Sequence, residues 1–543
     1  MHKHSFTFFA LILLSILLTG CASAVAPRFE ISDPQFEKTT CPVELPDGVI
    51  EGTDITCGYV TAPAFHNEKE QGTVRLTVAL IHSTNETPEP DPVIMGMGGP
   101  GGSALDSILP LVLGENGKGL LAQRDVIVFE QRGVKYNEPH LTCPELIDVK
   151  LDHIGEEEPE DEELAAVTAC RERLIAEGAQ LNSFNNIENA ADIPFIIDVL
   201  GYEGQFNYYG LSYGTLLGQH LIRDHSERLR SVILDGVAPN DLHAISEHAV
   251  MADRMFKYLF EKCAADAECS EEYPNVENQF LETADKLNEN PAILTIAGPD
   301  GTEHQVPFDG DTFVYSMVLV AYEPGTYAYV PMFIDQIASG NFEIPEILGY
   351  HYYFGEESLA PGMRDAIRCS VDWSISEEVS YSDLYPQVAS SMGGDGGQSE
   401  RCEIWNVATL DKYTTEPVIS DIPTLFISGE FDPVTPRNYA DRVAANFRNS
   451  YSYTIPGGGH GNFLNVACAD EITLAFLENP VQEPNTNCID DISIKFGPPS
   501  LFTYALTIAK ANLSIVILVV VILVALILGI VWLIRRRKDK KLA

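Results

Sequence analysis

Gly210-Leu211-Ser212-Tyr213-Gly214 has the form G-x-S-x-G and lies between a strand-like run, 206–209, and a helix-like run, 215–223. Glycines on both flanks allow a turn too tight for side chains, and such a turn lifts the serine hydroxyl above the sheet edge. A serine nucleophile needs a base, and the base needs an acid to orient it. His460 stands in Gly457-Gly458-Gly459-His460-Gly461, after a strand ending at Ile455. Asp432 stands in Gly429-Glu430-Phe431-Asp432-Pro433-Val434-Thr435-Pro436, after a strand ending at Ser428. Alone, His460 reads as an ordinary loop histidine and Asp432 as a turn residue before proline. Three such groups at three strand ends make a nucleophile, acid and base the better reading. Glu430 is the second candidate acid.

Gly96-Met97-Gly98-Gly99-Pro100-Gly101-Gly102 follows a strand ending at Met95. Acyl transfer needs backbone N–H donors aimed at a developing oxyanion, and glycines let the main chain approach that closely. The N–H groups of Gly99 and Tyr213 are the expected oxyanion hole. A phosphate loop is excluded because no G-K-[ST] follows.

The positioning elements are short. Residues 57–60, 74–80, 92–95, 125–129, 206–209, 231–235, 423–428 and 451–455 read as strands. Residues 189–200, 215–223, 437–447 and 468–477 have helical spacing. Such alternation predicts a mostly parallel sheet with helices on both faces. With the chain order Ser, Asp, His, the expected class is an α/β-hydrolase fold. The alternation lapses over 240–413, which reads as a large, mainly helical cap insertion. The core then comprises 41–239 and 414–490.

The chain has 543 residues, with 34 Lys+Arg against 79 Asp+Glu and a net charge of -45. An acidic surface repels phosphates, so nucleic acid is not an expected partner. Residues 1–21 read as a signal peptide, with Lys3 before an apolar run. Leu18-Thr19-Gly20-Cys21 also matches a bacterial lipobox, which would place a lipid on Cys21. Ala22-Ser23-Ala24 offers an ordinary cleavage site that would remove Cys21, and both cuts remain open.

After a linker, 491–512, residues 513–534 are almost wholly apolar. At about 1.5 Å per residue they span roughly 33 Å, enough for a transmembrane helix. The tail 535–543 carries Arg535, Arg536, Arg537, Lys538, Lys540 and Lys541, which keeps it cytoplasmic. The catalytic body is then expected outside the cytoplasm, at a bacterial surface. Ten of the 11 cysteines fall in near pairs, Cys41/Cys57, Cys143/Cys170, Cys263/Cys269, Cys369/Cys402 and Cys468/Cys488, which read as disulfides. No C-x-x-C or H-E-x-x-H is present, so neither metal nor cofactor is expected.

Gly98-Gly99-Pro100-Gly101-Gly102-Ser103, Glu130-Gln131-Arg132-Gly133, Gly210-Leu211-Ser212-Tyr213-Gly214, Asp432-Pro433-Val434-Thr435-Pro436 and Gly459-His460-Gly461 resemble the proline iminopeptidase/tripeptidyl aminopeptidase group of α/β-hydrolases. Leu141-Thr142-Cys143-Pro144, Ile367-Arg368-Cys369 and the Cys468…Cys488 tail are similar to its tripeptidyl-aminopeptidase-like branch. The resemblance runs from about Cys41 to Asp490. It implies a serine aminopeptidase that releases short fragments from peptides with a free N-terminus, with acidic cap residues holding the amine. Met97 and Glu130 stand where iminopeptidases usually have histidine and aspartate, which bears on strict proline specificity. The alternatives are an esterase or lipase-like hydrolase, and a non-catalytic surface-binding protein on the same fold.

Overall fold

The computed structural model describes residues 35–497, apart from 157–158, 243, 356–358, 372–378 and 395–396. The expected signal peptide, Cys21, the transmembrane segment 513–534 and the basic tail lie outside the described residues. Among the described residues, no helix is long and apolar enough to cross a membrane.

Nine strands form one sheet: β1 (Phe36–Thr39), β2 (Ile55–Pro63), β3 (Thr73–Ile81), β4 (Val93–Gly96), β5 (Val126–Phe129), β6 (Phe206–Leu211), β7 (Leu229–Asp235), β10 (Thr424–Gly429) and β11 (Ser450–Ile455). Their spatial order is β1-β2-β3-β5-β4-β6-β7-β10-β11. The β1, β2 and β3 pairings are antiparallel, as is β3 with β5; the rest are parallel. In β4 and β5 every residue is buried, because the central parallel strands are covered on both faces.

The side-chain period of two divides these strands between two cores. Ile94, Ile127, Tyr208, Leu234 and Phe426 pack on one face. Their neighbours Met95, Val128, Tyr209, Ile233 and Leu425 pack on the other. Because β4, β6, β10 and β11 run parallel, the loops that follow them emerge at one edge. The glycine loop, Ser212, Asp432 and His460 all sit on those loops.

Between β7 and β10 no described strand joins the main sheet. Helices Ala244–Ala265, Val276–Glu289, Gly310–Tyr322 and Val330–Ala338 form the body of this region. They share a third core that includes Phe256, Phe280, Phe313, Met317 and Val330. An antiparallel hairpin, β8 (Ala292–Ala297) and β9 (Glu303–Phe308), interrupts the helices. Its alternating burial, with Leu294 and Ile296 inward, marks a half-buried strand that the helical expectation missed.

Residues late in this region belong to a different core. Ala360, Met363, Ala366, Ile367 and Trp405 pack against one face of the main sheet, so 240–413 is divided between two packing units. At the other end, β1 precedes Cys41 and pairs with β2. The five near pairs of cysteines are disulfides: Cys41–Cys57, Cys143–Cys170, Cys263–Cys269, Cys369–Cys402 and Cys468–Cys488.

Candidate active site

Ser212 caps helix Tyr213–Asp224 with φ 56, one of three non-glycine residues with positive φ among those described. An N-cap serine normally spends its oxygen on a backbone N–H of the first turn. Here the side chain makes no such bond, so Oγ is not committed to the helix terminus. The turn is held from its backbone: Ser212 N–H donates to the Asp235 carbonyl at 3.0 Å, and Thr215 N–H donates to the Ser212 carbonyl at 2.8 Å. At Gly210, a Cβ would lie 2.3 Å from the Gly214 carbonyl oxygen, so the glycine is a steric requirement of the turn.

The glycine loop crosses directly over this serine. A Cβ on Gly98 would stand 2.7 Å from the Ser212 Cβ. Gln131 Nε2 donates to the Met97 carbonyl at 2.6 Å and fixes the loop. Glu130 anchors the helix that follows it, accepting from Ser103 Oγ at 2.5 Å and from the Ala104 and Leu105 N–H groups at 3.2 Å. Burial pushes the Glu130 carboxyl up to about 7, against those hydrogen bonds. Gly99, Ser212 and Tyr213 line one cavity of about 380 Å³.

His460 is 5 % exposed, and its Nδ1 lies 2.9 Å from Asp432 Oδ2. Asp432 is fully buried and accepts the Val434 and Thr435 N–H groups on Oδ1 at 2.9 and 2.8 Å. Thr435 Oγ1 donates to Asp432 Oδ2 at 2.7 Å and stands 2.9 Å from His460 Nδ1. Burial raises the Asp432 carboxyl, but the charge and hydrogen bond of His460 outweigh it and hold it below the ordinary value. For His460 burial acts downward, and Asp432 more than reverses it, so the imidazole lies above the ordinary histidine value. The His460 Nε2, on the side of the ring away from the Nδ1 contact with Asp432, is buried with no hydrogen-bond partner.

Glu430 does not meet the histidine. Its carboxylate bonds Tyr258, lies 3.5 Å from Lys262 Nζ, and accepts the Gly457 N–H at 3.1 Å, bracing the loop before His460. Two further residues fix His460. Its own N–H donates at 2.7 Å to the carbonyl of Tyr322, the last residue of helix Gly310–Tyr322. Asp235, buried at the end of β7, accepts the N–H groups of Asn462 and Phe463 at 2.7 and 2.8 Å.

Sequence reading missed Thr435, Asp235 and Tyr322. Thr435 left one trace, its place three residues after Asp432, the spacing at which a hydroxyl and N–H fold back onto a carboxylate. Neither Asp235 nor Tyr322 carried a local signal. Cys143, Glu145 and Cys170 cluster at metal-ligand spacing, but the two sulfurs are joined in a disulfide.

The alpha/beta hydrolase fold family matches residues 91–279, and the TAP-like protein family matches residues 390–488. The second match contains Asp432 and His460, and the first contains Ser212. Together the two matches support the tripeptidyl-aminopeptidase-like group of α/β-hydrolases that the sequence motifs resemble. This hydrolase is 22% identical to the serine protease Hip1 of Mycobacterium tuberculosis over 506 residues, covering 88% of this chain and 96% of that protein. It is 23% identical to the putative hydrolase YuaR of Escherichia coli, over 80% of this chain and 88% of that one. To the tripeptidyl aminopeptidase of Streptomyces lividans it is 30% identical over 197 residues, 34% of this chain and 35% of that protein. It is a serine hydrolase on the α/β-hydrolase fold.

Proposed function

We propose that this hydrolase is a serine peptidase, tethered to the membrane and working outside the cytoplasm, that cleaves short peptides from the N-terminus. His460 Nε2 takes the Ser212 proton, Ser212 Oγ attacks the scissile carbonyl, and the N–H groups of Gly99 and Tyr213 receive the oxyanion. His460 then passes the proton to the leaving amine, giving an acyl-enzyme. Water, deprotonated by the same imidazole, releases the acyl group and restores the serine. The observation that carries this reading is His460 itself, bound through Nδ1 to buried Asp432 while Nε2 is left without a partner.

The tether rests on the apolar run 513–534 and the basic residues after it. The five disulfides accord with an oxidising compartment. Preference for a free amine rests on likeness to the Streptomyces tripeptidyl aminopeptidase.

An esterase using the same residues is a second reading, favoured by one observation. Among the described residues that line the cavity, none is a carboxylate to pair a substrate amine. Labelling with a fluorophosphonate, lost in Ser212→Ala, tests the nucleophile. Free-amine and blocked peptides compared with short acyl esters test the substrate. A marked preference for free-amine peptides supports the peptidase, and faster ester turnover with indifference to the amine overturns it.

A further inference from the structure

From Phe313 to its end, the cap helix Gly310–Tyr322 is apolar or aromatic except at Ser316. Phe313, Val314, Met317 and Val318 pack into the cap core. Tyr315 and Leu319 do not, and remain 46 % and 41 % exposed. A helix of a globular protein normally turns such residues inward. With Tyr322 they stand at spacings of four and three, which places all three on one helix face.

That face leads from the catalytic histidine to a second cavity. Tyr322 ends the helix with its ring centroid 4.7 Å from that of His460. Both Tyr322 and Tyr315 line the cavity beside Ser212. Tyr315 and Leu319 also line a separate cavity of about 400 Å³ within the cap. Tyr315 is thus common to the two. It lies seven residues before Tyr322, about 10.5 Å away at a rise of about 1.5 Å per residue.

Hairpin β8–β9 supplies Leu294, Ile296 and Phe308 to the cap cavity, and helix Glu343–Phe354 supplies Leu348, Tyr352 and Tyr353. The hairpin and this helix meet at Gly349, where a Cβ would stand 2.5 Å from Ile296 Cδ1. The helix is rich in apolar and aromatic residues, yet within it only Pro345 is buried. The polar groups of the lining are largely engaged within the protein. Ser316 Oγ donates to the Thr312 carbonyl at 2.8 Å, and Ser391 Oγ to the Asp311 carbonyl at 2.7 Å. The Asp311 carboxylate accepts from Ser390 Oγ at 3.1 Å and Asn288 Nδ2 at 3.3 Å. The cavity therefore offers a ligand chiefly aromatic and aliphatic surface, which suits a flat apolar ring.

We propose that the cap cavity is a subsite for a large aromatic side chain on the leaving part of a peptide substrate. This rests on the peptidase reading and adds the substrate class to it. His460 gives its proton to the leaving amine, so the released chain departs past His460 and Tyr322. An extended chain advances about 3.3 Å per residue. The helix face from Tyr322 to Tyr315 therefore carries the third or fourth residue after the cleaved bond to the cavity.

The test uses the purified protein and matched internally quenched peptides with a free N-terminus. They differ only in Phe or Ser at the third or the fourth residue after the cleaved bond, which mass spectrometry maps. At one of these positions kcat/KM for Phe is expected to exceed that for Ser by about tenfold or more. Thr312→Trp fills the cavity, and Leu319→Asp puts a charge on its approach. Both positions are exposed, so neither change disturbs the cap core. In each variant the Phe-to-Ser ratio is expected to fall toward one. A wild-type ratio near one at both positions, or a ratio that survives both substitutions, overturns the subsite while peptide cleavage still upholds the peptidase. Fluorophosphonate labelling without cleavage of any peptide overturns both.

Discussion

Asp235 grips the backbone of Asn462: its carboxylate accepts that N–H at 2.7 Å, while its own carbonyl accepts the Ser212 N–H at 3.0 Å. One residue at the end of β7 thus registers the serine turn and the histidine loop against the same point. Its carboxyl lies above the ordinary aspartate value, because burial outweighs the hydrogen bonds from Phe463 and Asn462.

Asp235→Ala therefore removes a shared reference and orphans two buried N–H groups. A stability loss of about 2–6 kcal/mol is expected, at roughly 1–3 kcal/mol per group. Urea unfolding measures it. Asp235→Asn keeps an acceptor and should lose less, while kcat falls more than KM changes because the imidazole, not the substrate pocket, has shifted.

Thr435→Val keeps the shape of the side chain but deletes the hydroxyl between Asp432 and His460. The lost bond to a charged acceptor is worth about 1.5–3 kcal/mol. Spent on orienting the base, that predicts a fall in kcat/KM of about tenfold to a hundredfold. Steady-state kinetics checks it, with circular dichroism expected to be unchanged.

The pH profile follows from His460. A general base must be neutral, and Asp432 holds this imidazole above its ordinary value of about 6.5. Activity should fall on the acid side with a midpoint above that value. In Asp432→Asn the burial remains and the raising charge is gone, so the midpoint should move down as the rate drops by about 10⁴. A profile of kcat/KM against pH in both proteins reads the shift.

Arg132 of the Glu130-Gln131-Arg132-Gly133 motif is a structural ion. It is fully buried, bonding Asp192 through Nε at 2.8 Å and Nη2 at 2.6 Å, and the Ala64 and Ser183 carbonyls through Nη1. Arg132→Met would leave Asp192 buried with only His66 beside it, at 2.8 Å. A loss of about 3–5 kcal/mol is expected at neutral pH. Burial raises the Asp192 carboxyl, but Arg132 and His66 together outweigh it, so the folded value lies below the unfolded one. That stabilisation is present above the unfolded pKa and disappears as pH falls through the folded one. The gap between wild type and variant should therefore narrow in acid, as thermal melts across pH would show.

The motifs were legible because they are local. A glycine on each side of Ser212, a strand before it and a helix after it lie within about twenty residues. The same holds for the turn after Ser428 and the loop after Ile455. Parallel strands then carry these turns to one edge whatever lies between them, so the chain order of the groups was readable without a structure. The five disulfides were legible for the same reason, since each joins cysteines close in sequence. The β8–β9 hairpin was not, because its short alternating run is surrounded by helical pattern and is stabilised by the helices it packs on.

The sequence by itself determined the candidate nucleophile, base and acid, the glycine loop and the sheet that presents them, because each rests on short-range pattern. The tertiary structure alone decided which acid meets His460. Glu430 and Asp432 are two residues apart in one turn, yet the first faces Tyr258 and the Gly457 N–H while the second faces His460. It also brought Asp235, Thr435 and Tyr322 to the histidine. These contacts span strands, loops and cap helices far apart in the chain. Their geometry is set by register and packing, which no local pattern encodes.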